Sequence, residues 1–309
     1  MAPFTERRNT AAQIVRFTSA IFAVFLFGFA VVAAISAFLV YQALHPAKNP
    51  SAPINLDVMM GHPASLTFSA PDGSAREGWF FPGLRGAPTI IVCHGYQSQR
   101  VHVLTLVTAL QEHQFNVFTF DFRGHGTSPG VTTLGYREVG EAQAALKLLA
   151  GRDDVDPQRF GLWGVDMGGY AALEVAASDP RVSALAVDDA YADPKDMLQI
   201  QAGQSGLTVV PLVMKLSTFI FRLYNYTSRD DPPVTAKLSK ITVPKLFIVS
   251  DDRPALATAT ISLFDSAPNP KRLLRDNQGY RDMSDDDRKA YESQLVSFFL
   301  QYMPPGEQR

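Results

Sequence analysis

The chain has 309 residues, 46% of them hydrophobic and 19% charged, with a formal net charge of −2. That length accommodates one large α/β domain plus an anchor, and the charge, with no basic stripe, gives no electrostatic reason to expect nucleic acid. The lone cysteine, Cys93, excludes an intrachain disulfide; at the end of the apolar run 89–92 it reads as a buried small hydrophobe rather than a nucleophile.

The first sixteen residues are polar and carry Arg7, Arg8 and Arg16. Residues 17–44 then contain no charge, and the centre, 21–40, is almost wholly apolar. A charge-free run longer than about 18 residues is a candidate membrane span, and a cleaved leader would have a shorter apolar core. The expectation is a cytoplasmic tail over 1–16 and an uncleaved signal anchor over 17–44. Arginines precede the span and only Lys48 closely follows it, so the positive-inside rule puts the N-terminus in the cytoplasm. The domain then lies outside a bacterial-type cytoplasmic membrane.

Residues 45–63 carry Pro46, Pro50, Pro53 and Pro63 and read as a linker, with one short strand near 56–59. Two apolar runs, 64–70 and 75–80, flank the turn Pro71-Asp72-Gly73-Ser74 and predict a β-hairpin. After Pro88 short apolar runs alternate with helical stretches, the pattern of βαβ units. Buried strands are expected at 89–93, 116–120, 160–163, 184–188, 245–250 and 272–276. Helices are expected near 101–113, 134–150, 167–177, 255–264 and 285–301. Between 191 and 242 lies an insertion too long to be structureless, rich in apolar and aromatic residues.

The run from Phe160 to Tyr170, FGLWGVDMGGY, reads as a strand, a Gly-bounded turn and a helix start. Small residues on both sides let the backbone take a strained turn that lifts one side chain above the sheet edge. That side chain is Asp166. Three further motifs accompany it: His94-Gly95-Tyr96, the loop from Asp121 to Ser128 (DFRGHGTS), and Asp188 to Asp193 (DDAYAD). In this order and spacing the chain resembles the α/β-hydrolase superfamily, in particular its bacterial serine-hydrolase and serine-aminopeptidase-like branch. The resemblance implies an α/β-hydrolase fold over 64–309: a mostly parallel, eight-stranded-type sheet flanked by helices, with 191–242 as a helical lid. The insertion reads equally as a helical pair on its own small core, and its apolar surface suits contact with a bilayer.

A serine hydrolase of this fold needs nucleophile, acid and histidine in that chain order; the histidine takes the nucleophile's proton and the acid orients the ring. Asp166 stands at the nucleophile position. At the acid position, in 250–254 (SDDRP), alignment puts Arg253 on the acid, with Asp252 one residue off register. Tyr280 stands at the histidine position. The six histidines are His45, His62, His94, His102, His113 and His125, so none follows the last strand. The backbone N–H groups of Tyr96 and Met167 would form the oxyanion hole.

The haloalkane dehalogenases and soluble epoxide hydrolases of the superfamily use an elbow aspartate, which attacks carbon to form an ester intermediate. Without the histidine such an ester would persist. Two readings result. One is a non-catalytic binding or scaffold protein, with a small-molecule or acyl ligand in the lid-covered pocket. The other is a hydrolase using Asp166 on an ester, epoxide or haloalkane. Asp166, Arg253 and Tyr280 are expected to converge, with Asp166 within hydrogen-bonding distance of Arg253 or Tyr280. His94 and His125 read as structural, as do Ser98 and Ser128. Asp188 and Asp189 read as a structural turn. No metal motif appears and no cofactor is implied: Gly124-His125-Gly126 lacks the third glycine of a dinucleotide loop. The oligomeric state is not legible.

Overall fold

The computed structural model describes residues 3–48, 54–55, 63–204, 206, 210–228 and 231–306, with the side chains of 3–11 outside that description. Helix α1 spans Pro3–Leu44. Its charge-free run offers no Pro or C-cap signal before residue 44, so the expected tail and span form one continuous helix. The stretch Ala12–Leu44 is long and apolar enough to cross a membrane.

The hairpin strands are β1 (Ala64–Ser69) and β2 (Ala75–Phe81), antiparallel and in register from Ala64 opposite Phe80 to Ser69 opposite Ala75. Then come β3 (Thr89–Cys93), α2 (Leu104–Glu112), β4 (Asn116–Phe120), α3 (Glu138–Leu149), β5 (Phe160–Val165), α4 (Met167–Ser178) and β6 (Val182–Asp188). Helices α5 (Pro194–Gln204) and α6 (Pro211–Tyr224) fill the insertion, with a 3-10 turn at Val234–Lys240. The chain ends with β7 (Lys245–Ser250), α7 (Pro254–Ser266), β8 (Lys271–Asp276) and α8 (Asp285–Tyr302). The strand expected near 56–59 and the stretch 207–209 lie outside the described residues.

The eight strands form one sheet in the order β1-β2-β4-β3-β5-β6-β7-β8, antiparallel only where β2 meets β1 and β4. Every residue of β3, β4, β5 and β7 is buried, the condition for strands that read as unbroken apolar runs. One face packs under α2 and α8, through Leu106, Leu295 and Phe299. The other packs under α3, α4 and α7, through Leu146, Leu173 and Leu263.

The end of α1 belongs to this second core. Val40, Ala43 and Leu44 are buried in it, and Leu39 packs with Ala202 of α5 and Val213 of α6. The segment after the helix is also tied down: Lys48 Nζ donates to the carbonyl of Ser128 at 2.8 Å. Leu39, Val40, Ala43 and Leu44 of α1 are thus packed into the sheet domain. An apolar helix end beside apolar surfaces of α5 and α6 removes surface from water, as any core does.

Candidate functional site

The site sits at the C-terminal edge of the parallel strands. β5 ends at Val165, α4 begins at Met167, and Asp166 between them has φ 39 and ψ −103. A non-glycine residue in that region is strained, and surrounding structure must hold it. Here the Asp166 N–H donates to the carbonyl of Asp188 at 2.8 Å, and its carbonyl accepts from Tyr170 N at 2.9 Å. Close approach requires the small neighbours: a Cβ on Gly168 would stand 2.3 Å from the carbonyl oxygen of Cys93.

The Asp166 carboxylate turns back onto its own backbone. Asp166 Oδ1 accepts the N–H of Tyr96 at 2.6 Å and also the N–H of Met167. These are the two donors expected to form the oxyanion hole, and one carboxylate oxygen occupies both. Asp166 Oδ2 faces the other way, 3.7 Å from Arg253 Nη1. That separation makes an ion pair rather than a hydrogen bond. Burial pushes the Asp166 carboxyl up to about 6, against the opposing pull of Arg253 and the two N–H donors.

Arg253 serves more than one carboxylate. It also lies 3.4 Å from Asp282 Oδ2, and its charge acts on Asp188 and Asp189. Both aspartates are fully buried. Asp188 Oδ2 accepts the Tyr291 hydroxyl at 2.8 Å, and Asp189 Oδ1 accepts the N–H of Ser250 at 3.0 Å. Burial and their mutual repulsion hold Asp188 well above the usual carboxylate range; burial pushes Asp189 up to about 6. Asp252 takes no part in this cluster's contacts: its Oδ1 accepts the N–H of Gly279 at 3.0 Å and ties the β7 loop to the β8 loop.

Tyr280 lines the same small cavity as Asp166 and Arg253, but its hydroxyl is engaged elsewhere. It donates to Glu292 Oε1 at 2.7 Å and lies 3.0 Å from Thr105 Oγ1. Its ring packs edge-on against Trp163, 5.1 Å between centroids. An aromatic ring with one polar end buries the ring and finds a partner for the hydroxyl: Trp163 of β5 and Tyr291 of α8 cover the ring, and Thr105 of α2 and Glu292 of α8 take the hydroxyl. The convergence of the three positions thus holds for Asp166 and Arg253, while the tyrosine hydroxyl points to α2 and α8.

Of the histidines, His94 bridges Gly95 O at 2.8 Å and the N–H of Phe122 at 3.0 Å. It is neutral, its titration lowered by burial. His125 is buried and pushed down to about 4 by burial and the nearby His94. Sequence reasoning missed His102. It lies on the 3-10 turn Arg100–Val103 after β3, 3.2 Å through Nδ1 from Ser98 Oγ, and it lines the cavity shared by Asp166, Arg253 and Tyr280. The available signal was its position four residues after Ser98, in the loop that supplies Tyr96. Burial and then Arg281 lower its titration, so the ring is neutral near pH 7. Cys93 is buried, and burial pushes its thiol up to about 12, away from reactivity.

A larger cavity of about 890 Å³ opens beside Asp166, between α5 and the start of α7. Met197, Ile200, Leu256 and Ala259 give it apolar walls, and Arg253 and Arg281 stand with Asp166 at one side. The volume suits an organic ligand of moderate size. Among the described residues no group of His, Cys, Asp or Glu side chains is arranged to hold a metal ion.

Comparison with known proteins bears on the fold that carries this site. The family described as alpha/beta hydrolase fold matches residues 88–208. The chain is 29% identical over 251 residues to the uncharacterized protein YfhR of Escherichia coli, covering 78% of this chain and 82% of that one. It is 28% identical over 226 residues to the alpha/beta hydrolase domain-containing protein WAV2 of Arabidopsis thaliana, covering 72% and 71%. Among solved structures, the Pyrococcus furiosus esterase Pf2001 superposes with a TM-score of 0.66 at 19% identity, over 84% of this chain and all of that one. The alpha/beta hydrolase GrgF of a Penicillium species gives 0.60 at 18% identity, over 78% and 99%. Likeness at such identities concerns the fold alone. With the sheet order, the elbow and the family match in agreement, the chain is an α/β-hydrolase-fold protein.

Proposed function

We propose that this is a single-pass, membrane-anchored binding protein that retains the hydrolase fold and pocket without serine-type acyl transfer. The observation that carries the reading is the engagement of Tyr96 N and Met167 N by Asp166 Oδ1. A substrate carbonyl needs those donors for its developing oxyanion, and here a carboxylate of the protein already takes them. Arg253 at the acid position and Tyr280 at the histidine position supply neither a base nor its orienting partner. The 890 Å³ cavity then serves to hold a small-molecule or acyl ligand, with Arg253 and Arg281 in its lining as the charges an anionic group would share with Asp166 and Asp282. In this reading α1 anchors the domain outside a bacterial-type cytoplasmic membrane, as its flanking charges favour. The serine-aminopeptidase-like resemblance then describes ancestry rather than activity.

A second reading draws on the other carboxylate oxygen. With Oδ1 fixed, Oδ2 is the oxygen left to attack the carbon of an epoxide, haloalkane or alkyl ester. The new Oδ2–C bond would displace halide, alkoxide or carboxylate, leaving an Asp166 ester. Its carbonyl oxygen, Oδ1, would already sit in the oxyanion hole for attack by water. The small cavity is about 20 Å³, the size of one water, and His102 lines it as a base for that step.

The test is turnover by the full-length protein in detergent on esters, epoxides, haloalkanes and aminoacyl amides, beside Asp166→Ala. Thermal-shift screening of carboxylate and acyl compounds runs in parallel. Turnover abolished in Asp166→Ala would overturn the binding reading and establish the second. No turnover, together with stabilisation by a compound that Arg253→Ala no longer feels, is the result expected.

A further inference from the structure

Helix α6 is apolar on two opposite sides. At about 100° per residue, Val213, Ser217 and Phe221 form one face and are buried. Leu212, Phe219 and Leu223 lie on the opposite arc, 51%, 62% and 59% exposed. A soluble helix carries polar residues there. Lys215 and Arg222 flank this arc on one edge, and Tyr226, 65% exposed, follows just beyond the helix end. Apolar side chains with flanking basic residues and a tyrosine compose a helix that lies in a bilayer interface.

The position of α6 along α1 gives the second argument. From the last charged side chain, Arg16, to Ser36 the helix advances about 30 Å, one hydrocarbon thickness. Between them Phe22, Val24, Phe25 and Phe27 are each about 70% exposed among the described residues. Among the described side chains of α1, Ser36 is the first that is fully buried. There α6 meets it: the Ser36 hydroxyl is shared between Val32 O at 2.8 Å and Val213 O at 3.1 Å, and Ser217 Oγ donates to Ser36 O at 3.4 Å. The first two turns of α6 are thus fixed at the level where a spanning α1 would leave the hydrocarbon.

We infer that the outer face of α6 docks onto the anionic headgroup layer of the same bilayer that α1 crosses. Leu212, Phe219 and Leu223 enter the boundary of the acyl chains, and Lys215 stays at the phosphates. The inference rests on the membrane-anchor reading and assigns the lid a fixed orientation against the membrane. Helix α5, one wall of the large cavity, packs on both α1 and α6 through Ala202, so the ligand cavity is held close to the lipid surface.

The experiment uses the full chain reconstituted into vesicles of phosphatidylcholine with phosphatidylglycerol. Flotation first tests the anchor: a chain that stays behind overturns the anchor reading itself. On floated protein, Phe219→Trp is then read against the background of the buried Trp79 and Trp163. The expected result is emission quenched by a lipid with a doxyl group near the headgroup and protected from aqueous iodide. Leu84→Trp is the control. Leu84 is 46% exposed and lies just before β3, at the opposite edge of the sheet, so its tryptophan should remain open to iodide. Iodide quenching of the 219 probe equal to that control, in chains that float, would overturn the docking. Lys215→Glu should lower the doxyl quenching of the 219 probe roughly twofold; unchanged quenching would overturn the anionic headgroup as the partner.

Discussion

The Tyr96 hydroxyl donates to the carbonyl oxygen of Ala43 at 3.0 Å. It joins the last turn of α1 to the residue whose N–H holds the Asp166 carboxylate. Carbonyls in a last helical turn lack intrahelical partners, and this one finds its partner in the site. Helix α1 and the elbow therefore share one loop.

Shortening the chain to begin at His45 tests that union. It removes Leu39, Val40 and Leu44, each no more than 5% exposed, and uncovers their partners on α5 and α6. Burial of such side chains is worth roughly 1.5–3 kcal/mol each, so a loss on the order of 5 kcal/mol is expected. Tyr96→Phe, which removes only the hydrogen bond, should cost about 1 kcal/mol. Thermal unfolding in detergent reads both. A shortened chain with an unchanged midpoint would show that α1 contributes nothing to the domain.

Asp166 makes stability depend on pH in a defined direction. Its folded carboxyl titrates near 6, above the ordinary 3.8, so the folded state binds the proton more tightly than the unfolded chain. The advantage is complete below about pH 4 and is lost as pH rises through 6. At about 1.36 kcal/mol per unit, the swing is about 3 kcal/mol. Asp166→Asn keeps an acceptor for Tyr96 N and Met167 N without the titration. Urea unfolding of the two proteins at pH 4 and pH 7 should show the wild type losing about that much more than the variant. Asp189 is also raised, mainly by burial and to a lesser degree by the Asp166 charge, so most of its contribution is common to both proteins. Parallel pH curves would contradict the burial of an ionisable carboxylate at the elbow.

Arg253 faces Asp166, Asp188 and Asp189 as their nearby cation. Breaking a fully buried pair costs about 3–5 kcal/mol. Arg253 is 26% exposed and 3.7 Å from Asp166, so solvent screening brings the expected cost of Arg253→Gln nearer 2 kcal/mol at pH 7. The cost should shrink at pH 5, where the carboxylates protonate. Arg253→Lys should recover part of it. A Gln variant equally destabilised at both pH values would point to lost packing rather than lost charge.

Much of this architecture was legible in the residues. Strands β3, β4 and β7 fall on the expected bounds because burial on both faces makes them unbroken apolar runs. Helix α3 does not: expected from Leu134, it starts at Glu138. Leu134 has φ 57, and the Glu138 carboxylate accepts from Thr132, Thr133 and Gly135, which holds the preceding loop outside the helix. Such side-chain ties to backbone override a helical pattern. At the site, Asp166 is readable because an elbow is local, and Arg253 because strand register delivers it. The direction of Tyr280 depends on Glu292 and on Thr105, 175 residues away, both brought to it by the packing of α8 and α2. The proximity of His102 depends on how the β3 loop crosses the strand ends. Neither leaves a local signature.

Gly95 provides the test of the occupied oxyanion hole that depends on contact alone. A Cβ built on it would stand 2.7 Å from Asp166 Oδ2, 3.0 Å from Cγ and 3.0 Å from Oδ1, and its three nearest neighbours are all in that carboxylate. Gly95→Ala therefore cannot coexist with the carboxylate where it lies. Overpacking of this kind costs about 1–3 kcal/mol. In an Asp166→Ala background the obstacle is gone, and the same glycine substitution should cost little. The two single variants and the double form a cycle with an expected coupling of about 1–2 kcal/mol. A glycine substitution equally costly in both backgrounds would mean that the carboxylate lies outside the hole. The Tyr96 and Met167 donors would then be open to a substrate, and the binding reading would lose its principal support.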